Sequence, residues 1–177
     1  MEIKHRADIY KIIDISLPTA ELGCAEGLFS RDILNWGVPK HYLVDTWATI
    51  QGQRGDGGND QGWHDANLDN VKKLVKPFGN KAVILRGFSV DMAARVENVS
   101  LGFVNVDCDH SYEGVKADIS AWWPKLKTGG VMAFHDYEMP HYGVKQAVTE
   151  FAQANGLEIH LLPEREPKDA GAYLIKK

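Results

Sequence analysis

An open, twisted α/β sheet of seven strands, one of them reversed, is the fold that this 177-residue sequence predicts. Two observations carry the prediction. Short apolar runs alternate with segments whose apolar residues recur every three or four positions, the pattern of strands alternating with amphipathic helices. The tail breaks that pattern. Two strand-like runs, 157–162 and 172–175, are joined only by PEREPKDAG, too short for a parallel crossover, so this pair is expected to be antiparallel.

The elements follow in order. Residues 1–16 are expected to hold an N-terminal helix, 19–22 a first buried strand, and 28–36 a helix. A second strand at 41–44 ends at Asp45. Residues 48–63, ATIQGQRGDGGNDQGW, are too rich in Gly, Asn, Asp and Gln to bury much apolar surface, and read as a long mobile loop. Leu68, Val71, Leu74, Val75 and Phe78 mark the next helix, 82–85 a third strand, and 89–96 a short helix with Ser89 as its N-cap. The fourth strand runs through Val104, Asn105 and Val106. Tyr112, Val115, Ile119, Trp123 and Leu126 mark the helix after it, and 131–134 the fifth strand. Val144, Ala147, Val148 and Phe151 carry a last helix, closed by Gly156.

Bulk properties narrow the function. The length suits one domain spanning 1–177 and no internal repeat or linker divides it. A formal net charge of -4 with no basic run argues against nucleic acid as a partner. No apolar run approaches the roughly 18 residues that span a bilayer, and the N-terminus lacks a signal-peptide core. Cys24 and Cys108 form no CxxC pair or disulfide framework, so a reducing, cytoplasmic setting is expected.

The chemistry concentrates where strands end. Val106 gives way to Asp107-Cys108-Asp109-His110, and Phe134 to His135-Asp136. Strand, helix, strand makes a right-handed crossover, so these two groups emerge side by side at the carboxyl edge, where open α/β sheets place ligands. Carboxylates and an imidazole converging there suit a divalent cation or acid–base work. Asp109 fits a helix cap or a ligand equally well. His110 reads as a hydrogen-bonded structural histidine. At the first strand's end, Glu21-Leu22-Gly23-Cys24-Ala25-Glu26-Gly27 turns into a helix, where glycines allow close backbone approach and free N–H groups attract a polar ligand. Neither GxGxxG nor GxxxxGK[ST] is present. Glu21 suits a cofactor with a cationic amino-acid tail, and Asp45 a ribose diol.

With these residues the chain resembles the class I S-adenosylmethionine-dependent methyltransferases. Within them it is similar to the small-molecule O-methyltransferases marked by D-x-D-H-S-Y-E-x-V-x-x-D, W-x-P, G-G and H-D-Y, matched here from Asp107 through Asp118, Trp122, Pro124, Gly129 and Gly130 to His135, Asp136 and Tyr137. Ala25 stands where the superfamily has a middle glycine. The resemblance implies a Rossmann-like sheet in the order 3-2-1-4-5-7-6, strand 7 antiparallel, with helices on both faces. It implies that Glu21, Gly23 and Gly27, with Cys24 in the same turn, line the methionine end of S-adenosyl-L-methionine. It places Asp45, Thr46 and Trp47 at the ribose and one adenine face, Gly87, Phe88 and Ser89 near the adenine, and Asp107 facing the sulfonium. Asp107, His135 and Asp136 are then the expected catalytic residues and the ligands of a divalent cation such as Mg²⁺, although His135 departs from the paired carboxylates of several relatives and is a poorer ligand for Mg²⁺ than for a transition ion. The expected acceptor is a saccharide or other small hydroxylated molecule, in a pocket built from 48–63, from 138–143, or from a second subunit of a homo-oligomer. The rivals are a dinucleotide oxidoreductase on a similar sheet and a non-catalytic cofactor-binding module.

Overall fold

The structure, a computed structural model, describes residues 3, 5–53, 55–163 and 170–177. Strands β1 (Thr19–Leu22), β2 (His41–Asp45), β3 (Ala82–Arg86), β4 (Leu101–Val106), β5 (Leu126–Phe134), β6 (His160–Leu162) and β7 (Gly171–Ile175) form one sheet. Its order is β3-β2-β1-β4-β5-β7-β6. Adjacent strands from β3 to β5 are parallel, and β7 runs antiparallel to both β5 and β6. That is the predicted sheet. Most of the connection between β6 and β7, and parts of 1–16 and 48–63, lie outside the described residues.

Alternating side chains send each strand's apolar residues to two helical layers. On one face Ala20, Leu22, Val104, Val106, Met132 and Phe134 pack against α4 (Tyr112–Trp122) and α5 (Val144–Ala154) through Val115, Ile119, Trp122, Val144 and Val148. On the other, Phe103, Val131 and Ala133 meet Ile9, Ile13 and Ile33, the last from α1 (Leu28–Asn35). A neighbouring cluster seats Leu43 and Trp47 under Leu68, Val71 and Val75 of α2 (Gln61–Val75).

Several elements depart from their expected bounds, each for a local reason. The N-terminal helix is a single 3₁₀ stretch, Arg6–Lys11. Helix α2 begins at Gln61, inside the segment expected to be loop, because the Asp60 carboxylate accepts from the Trp63 N–H and caps a polar first turn. The rest of that segment is folded on itself: the Ile50 N–H donates to the Gly57 carbonyl, and the Thr49 hydroxyl to the Asn59 carbonyl. Helix α4 stops at Trp122, one turn before the expected Leu126, because Pro124 cannot continue it; Trp122 rather than Trp123 is the buried ring. The short helix α3 covers only Ser89–Met92, with a 3₁₀ turn at Ala93–Arg95, and the Ser89 side chain makes no cap bond. Helix α5 ends as expected: Gly156 is left-handed, its N–H donates to the Gln153 carbonyl, and the Leu157 N–H reaches back to Ala152.

What positions the site is a row of backbone bonds just past the strand ends. The Gly23 N–H donates to the Val44 carbonyl, Gly87 to Asp45, Asp107 to Leu22 and His135 to Val106. Four strand exits are thereby held in register along one edge.

Candidate active site

That edge carries two joined cavities. The narrower, about 240 Å³, is walled by Val44, Ile50 and Phe88 and floored by Asp45, Gly87 and Ser89. The wider, about 850 Å³, contains Glu21, His110, His135 and Asp136, with Arg6, Phe29 and Tyr142 around its mouth. Gly23, Ala25 and Asp107 border both.

Asp45 holds the β1–α1 turn together. Its Oδ2 accepts from the N–H groups of Cys24 and Ala25, both at 2.9 Å, and its Oδ1 from the Trp47 N–H at 2.9 Å. A carboxylate offers about four lone-pair sites; three are taken, and one on Oδ1 is left toward the cavity where a ribose hydroxyl is expected. Trp47 is fully buried, and its indole N–H donates to the Ala25 carbonyl at 3.0 Å. Its ring is thus a clamp beneath the turn, and the exposed aromatic wall of the narrow cavity is Phe88. The Cys24 thiol points inward, to the carbonyls of Glu21 and Val44, so only the backbone of Cys24 faces the turn. Ser89 donates to the buried Asp118 carboxylate, and the Trp122 indole donates to the Ser89 carbonyl at 3.0 Å, tying the end of β3 to α4.

The glycines of the turn serve the chain itself first. A Cβ on Gly23 would lie 2.0 Å from the Asp107 carbonyl oxygen, and one on Gly27 2.9 Å from Val71. Ala25, in the position of the missing glycine, adopts φ 42°, as does Trp47, and Asp136 sits at 53°. Three of the four left-handed non-glycine residues among those described border this site, as expected where function holds a backbone in a sparsely populated region.

Glu21 lies deeper than its expected role requires, only 3% exposed. The Ser30 hydroxyl donates to it, and the Asn105 amide at 3.5 Å. Ser30 in turn meets His41 Nε2 at 3.0 Å, and His41 Nδ1 meets the Thr19 hydroxyl at 2.8 Å. Burial pushes Glu21 up to about 8 and His41 down to about 3, so both are neutral at pH 7.

At the head of β4 and β5 the side chains interlock. His135 Nδ1 lies 3.3 Å from Asp107 Oδ1 and 3.1 Å from Asp136 Oδ1. His110 Nε2 lies 3.4 Å from Asp107 Oδ1 and 3.6 Å from Asp136 Oδ2. Arg6 approaches Asp107 Oδ2 at 3.5 Å while its guanidinium lies over the Phe29 ring. Burial opposes a charge on His135, yet the two carboxylates outweigh it and hold its pKa above the ordinary value. Asp136 is held below the usual carboxylate range despite its own burial, by His135 and then His110. Asp109 stays out of this group; its Oδ1 accepts from the Ser111 N–H, and Ser111 caps α4 through the Gly114 N–H. The histidine expected to be structural is therefore inside the site. Arg6, which no motif signalled, arrives from the N-terminal 3₁₀ stretch.

A family model for a methyltransferase domain, Methyltransf_24, matches residues 20–137, and the chain belongs to that family. That membership, in a family of methyltransferase domains, decides against the oxidoreductase reading. A protein solved from Corynebacterium glutamicum has the same fold at TM-score 0.72 and 17% identity, covering 97% of this chain and 78% of its own. The calicheamicin methyltransferase CalS11, described as a TDP-rhamnose 3′-O-methyltransferase, aligns at TM-score 0.71 and 18% identity over 96% and 76%. The O-methyltransferase NovP aligns at 0.66 and 20% over 97% and 75%. A relative from Sinorhizobium fredii (strain NBRC 101917 / NGR234), called uncharacterized protein y4gI, is 30% identical over 103 residues. That match takes in 58% of this chain, which spans about a tenth of the relative's length. No helix among the described residues is long and apolar enough to cross a membrane.

Two expectations follow for stability. Replacing Ala25 by Gly removes a left-handed alanine costing about 1–2 kcal/mol, partly offset by about 0.5–1 kcal/mol of added chain entropy; thermal unfolding should shift up by roughly 2 °C, and a fall would contradict the strain. For the buried chain, Glu21 stays protonated when folded, so stability is lost as pH rises from about 4.5 to 8. His41 stays neutral when folded, so stability is gained as pH rises from about 3 to 6.5. The two slopes cancel between about 4.5 and 6.5. Above that, urea midpoints should fall by the equivalent of about 1.4 kcal/mol per pH unit until about 8. Glu21→Gln should abolish this fall, and an unchanged slope in that variant would place the titration elsewhere.

Proposed function

We propose that this enzyme transfers the methyl group of S-adenosylmethionine to a hydroxyl oxygen of a small polyhydroxylated acceptor, most simply a saccharide. The observation that carries the reading is the position of Asp107, which borders both cavities and stands 3.3 Å from His135 and 3.4 Å from His110. A donor filling the narrow cavity as an adenosyl group and reaching the β1–α1 turn with its methionine end brings its sulfonium to the point where the wide cavity opens. The narrow cavity fits an adenosyl group, with an apolar wall for a purine and a free carboxylate site at Asp45 for a ribose diol. The cationic amino end of the donor lies over Glu21, whose pKa falls, favouring the carboxylate, as a positive charge approaches it.

A sulfonium methyl is already activated, so the protein's task is to align the acceptor oxygen opposite the departing sulfur and to accept its proton. Asp107 or His135 takes that proton as general base, a contribution of about 10²–10⁴-fold. Asp107, His135 and Asp136 would hold a divalent cation: Asp107 Oδ1 lies 3.3 Å from His135 Nδ1 and 3.4 Å from His110 Nε2, and both of these imidazole nitrogens are buried without a hydrogen bond. When bound, such a cation supplies Lewis acidity and a template for vicinal acceptor oxygens. Arg6, Phe29 and Tyr142 wall the acceptor side, and the 48–60 segment roofs both cavities through Gln53, Asp56 and Gly57 as a lid. The saccharide assignment takes its support from CalS11, and two free cysteines fit a cytoplasmic enzyme.

Calorimetry and methyl-transfer assays on a saccharide panel test this directly. Asp45→Ala should weaken S-adenosylmethionine by about 1.5–3 kcal/mol. Asp107→Asn should keep donor binding and lose about a hundredfold or more of transfer. Undiminished transfer in Asp107→Asn would put the chemistry elsewhere.

A further inference from the structure

Outside the expected trio, His110 is the side chain whose surroundings are hardest to explain without a ligand. Its Nε2 is buried and forms no hydrogen bond, and the same is true of His135 Nδ1. Both nitrogens lie 3.1–3.6 Å from oxygens of Asp107 and Asp136, yet no N–H points along any of these lines. Atoms so close without bonding one another are arranged to share a third partner. The His110 ring cannot easily turn away: it stacks on Tyr142 at 4.7 Å between centroids and 18° between planes. Its carbonyl is pinned by the Gly143 N–H at 2.8 Å. Gly143 itself admits no side chain, since a Cβ there would lie 2.1 Å from the Tyr112 nitrogen.

We propose that His110 is a direct ligand of the cation beside Asp107, His135 and Asp136, and that this two-imidazole, two-carboxylate set selects a first-row transition ion, of the Zn²⁺ or Co²⁺ type, over Mg²⁺. The proposal rests on the preceding reading of this edge as a cation site and names its fourth ligand and its selectivity. Two physical arguments support it. Imidazole suits borderline transition ions, whereas Mg²⁺ favours oxygen and water. The spacing agrees as well: ligands about 2.0–2.1 Å from a tetrahedral ion stand about 3.3–3.4 Å apart, the distances at which Asp107 Oδ1 stands from His135 Nδ1 and His110 Nε2, while Asp136 turns a different oxygen toward each imidazole. Asp107, His110 and His135 each offer one atom within 4.8 Å of the others.

The test uses the full chain, stripped with chelator and checked for intact donor binding by calorimetry. Co²⁺ is then titrated by visible absorption, and Mg²⁺ by competition against it. Wild type should show the intense bands of a four- or five-coordinate Co²⁺ site. Oxygen-only sites also favour Co²⁺ somewhat, so the deciding quantity is the change in the Co²⁺/Mg²⁺ affinity ratio when an imidazole is removed. His110→Asn should lower that ratio by about tenfold or more, and His135→Asp should lower it similarly while strengthening Mg²⁺. Both variants should bind S-adenosylmethionine as wild type does, which separates ligand loss from misfolding. An unchanged ratio in His110→Asn, whatever His135→Asp does, or a weakly absorbing six-coordinate Co²⁺ spectrum, overturns the inference. Absence of any cation binding overturns it together with the cation part of the proposed function, while donor binding and Asp107-dependent transfer would still stand.

Discussion

The contact between Gly23 and the Asp107 carbonyl sets the geometry of the whole site. Parallel strands normally splay at their ends under the sheet's twist. Here β1 and β4 are drawn together until the Asp107 carbonyl fills the space a side chain would take at residue 23. Asp107 thus reaches over the turn that begins at β1, and its N–H is held by Leu22. The same register delivers His135 and Asp136 one strand away, because Val106 pairs with Phe134. Asp45 arrives on the other side, because Leu22 pairs with Val44. One tight backbone approach therefore brings residues from four strand exits within reach of a single bound molecule.

Crowding so many acids on one edge raises an electrostatic problem, and each carboxylate resolves it differently. Glu21 is buried deeply enough to stay protonated, within a chain of hydroxyl, imidazole and amide partners. Asp45 spends three of its lone pairs on backbone N–H groups. Asp118 is buried and accepts from Ser89 and the Cys108 thiol. Asp107 and Asp136 lie among His110, His135 and Arg6, and the two imidazoles hold Asp136 below the usual carboxylate range. The outcome is a graded edge, neutral at Glu21 and polar with mixed charges around Asp107 and Asp136.

The positions of Asp45, Asp107, His135 and Asp136 were legible because strand ends are marked by abrupt changes from apolar to acidic residues, the reversed strand because its connection is short, and the sheet order through the family resemblance. Helix starts rich in polar residues were not, as at Gln61, where capping by Asp60 rather than hydrophobic spacing defines the boundary. The roles of Trp47 and Cys24 were also hidden: lying next to a ligand in sequence does not say which way a ring or thiol points. His110 looked structural because a histidine between a strand and a helix usually finds a backbone partner. Only the three-dimensional placement of Asp136 and Tyr142 shows that it has none. Arg6 gave no sequence signal at all, because its position depends on how residues 5–13 pack against Phe103 and Ile33.

The most direct measurement of this account is a crystal structure of the protein with S-adenosylhomocysteine. The account predicts the adenine between Phe88 and Ile50, a ribose hydroxyl on Asp45 Oδ1, the amino group above Glu21, and the sulfur facing Asp107 at the mouth of the wide cavity. A nucleoside seated elsewhere, or a sulfur turned away from Asp107, would contradict it.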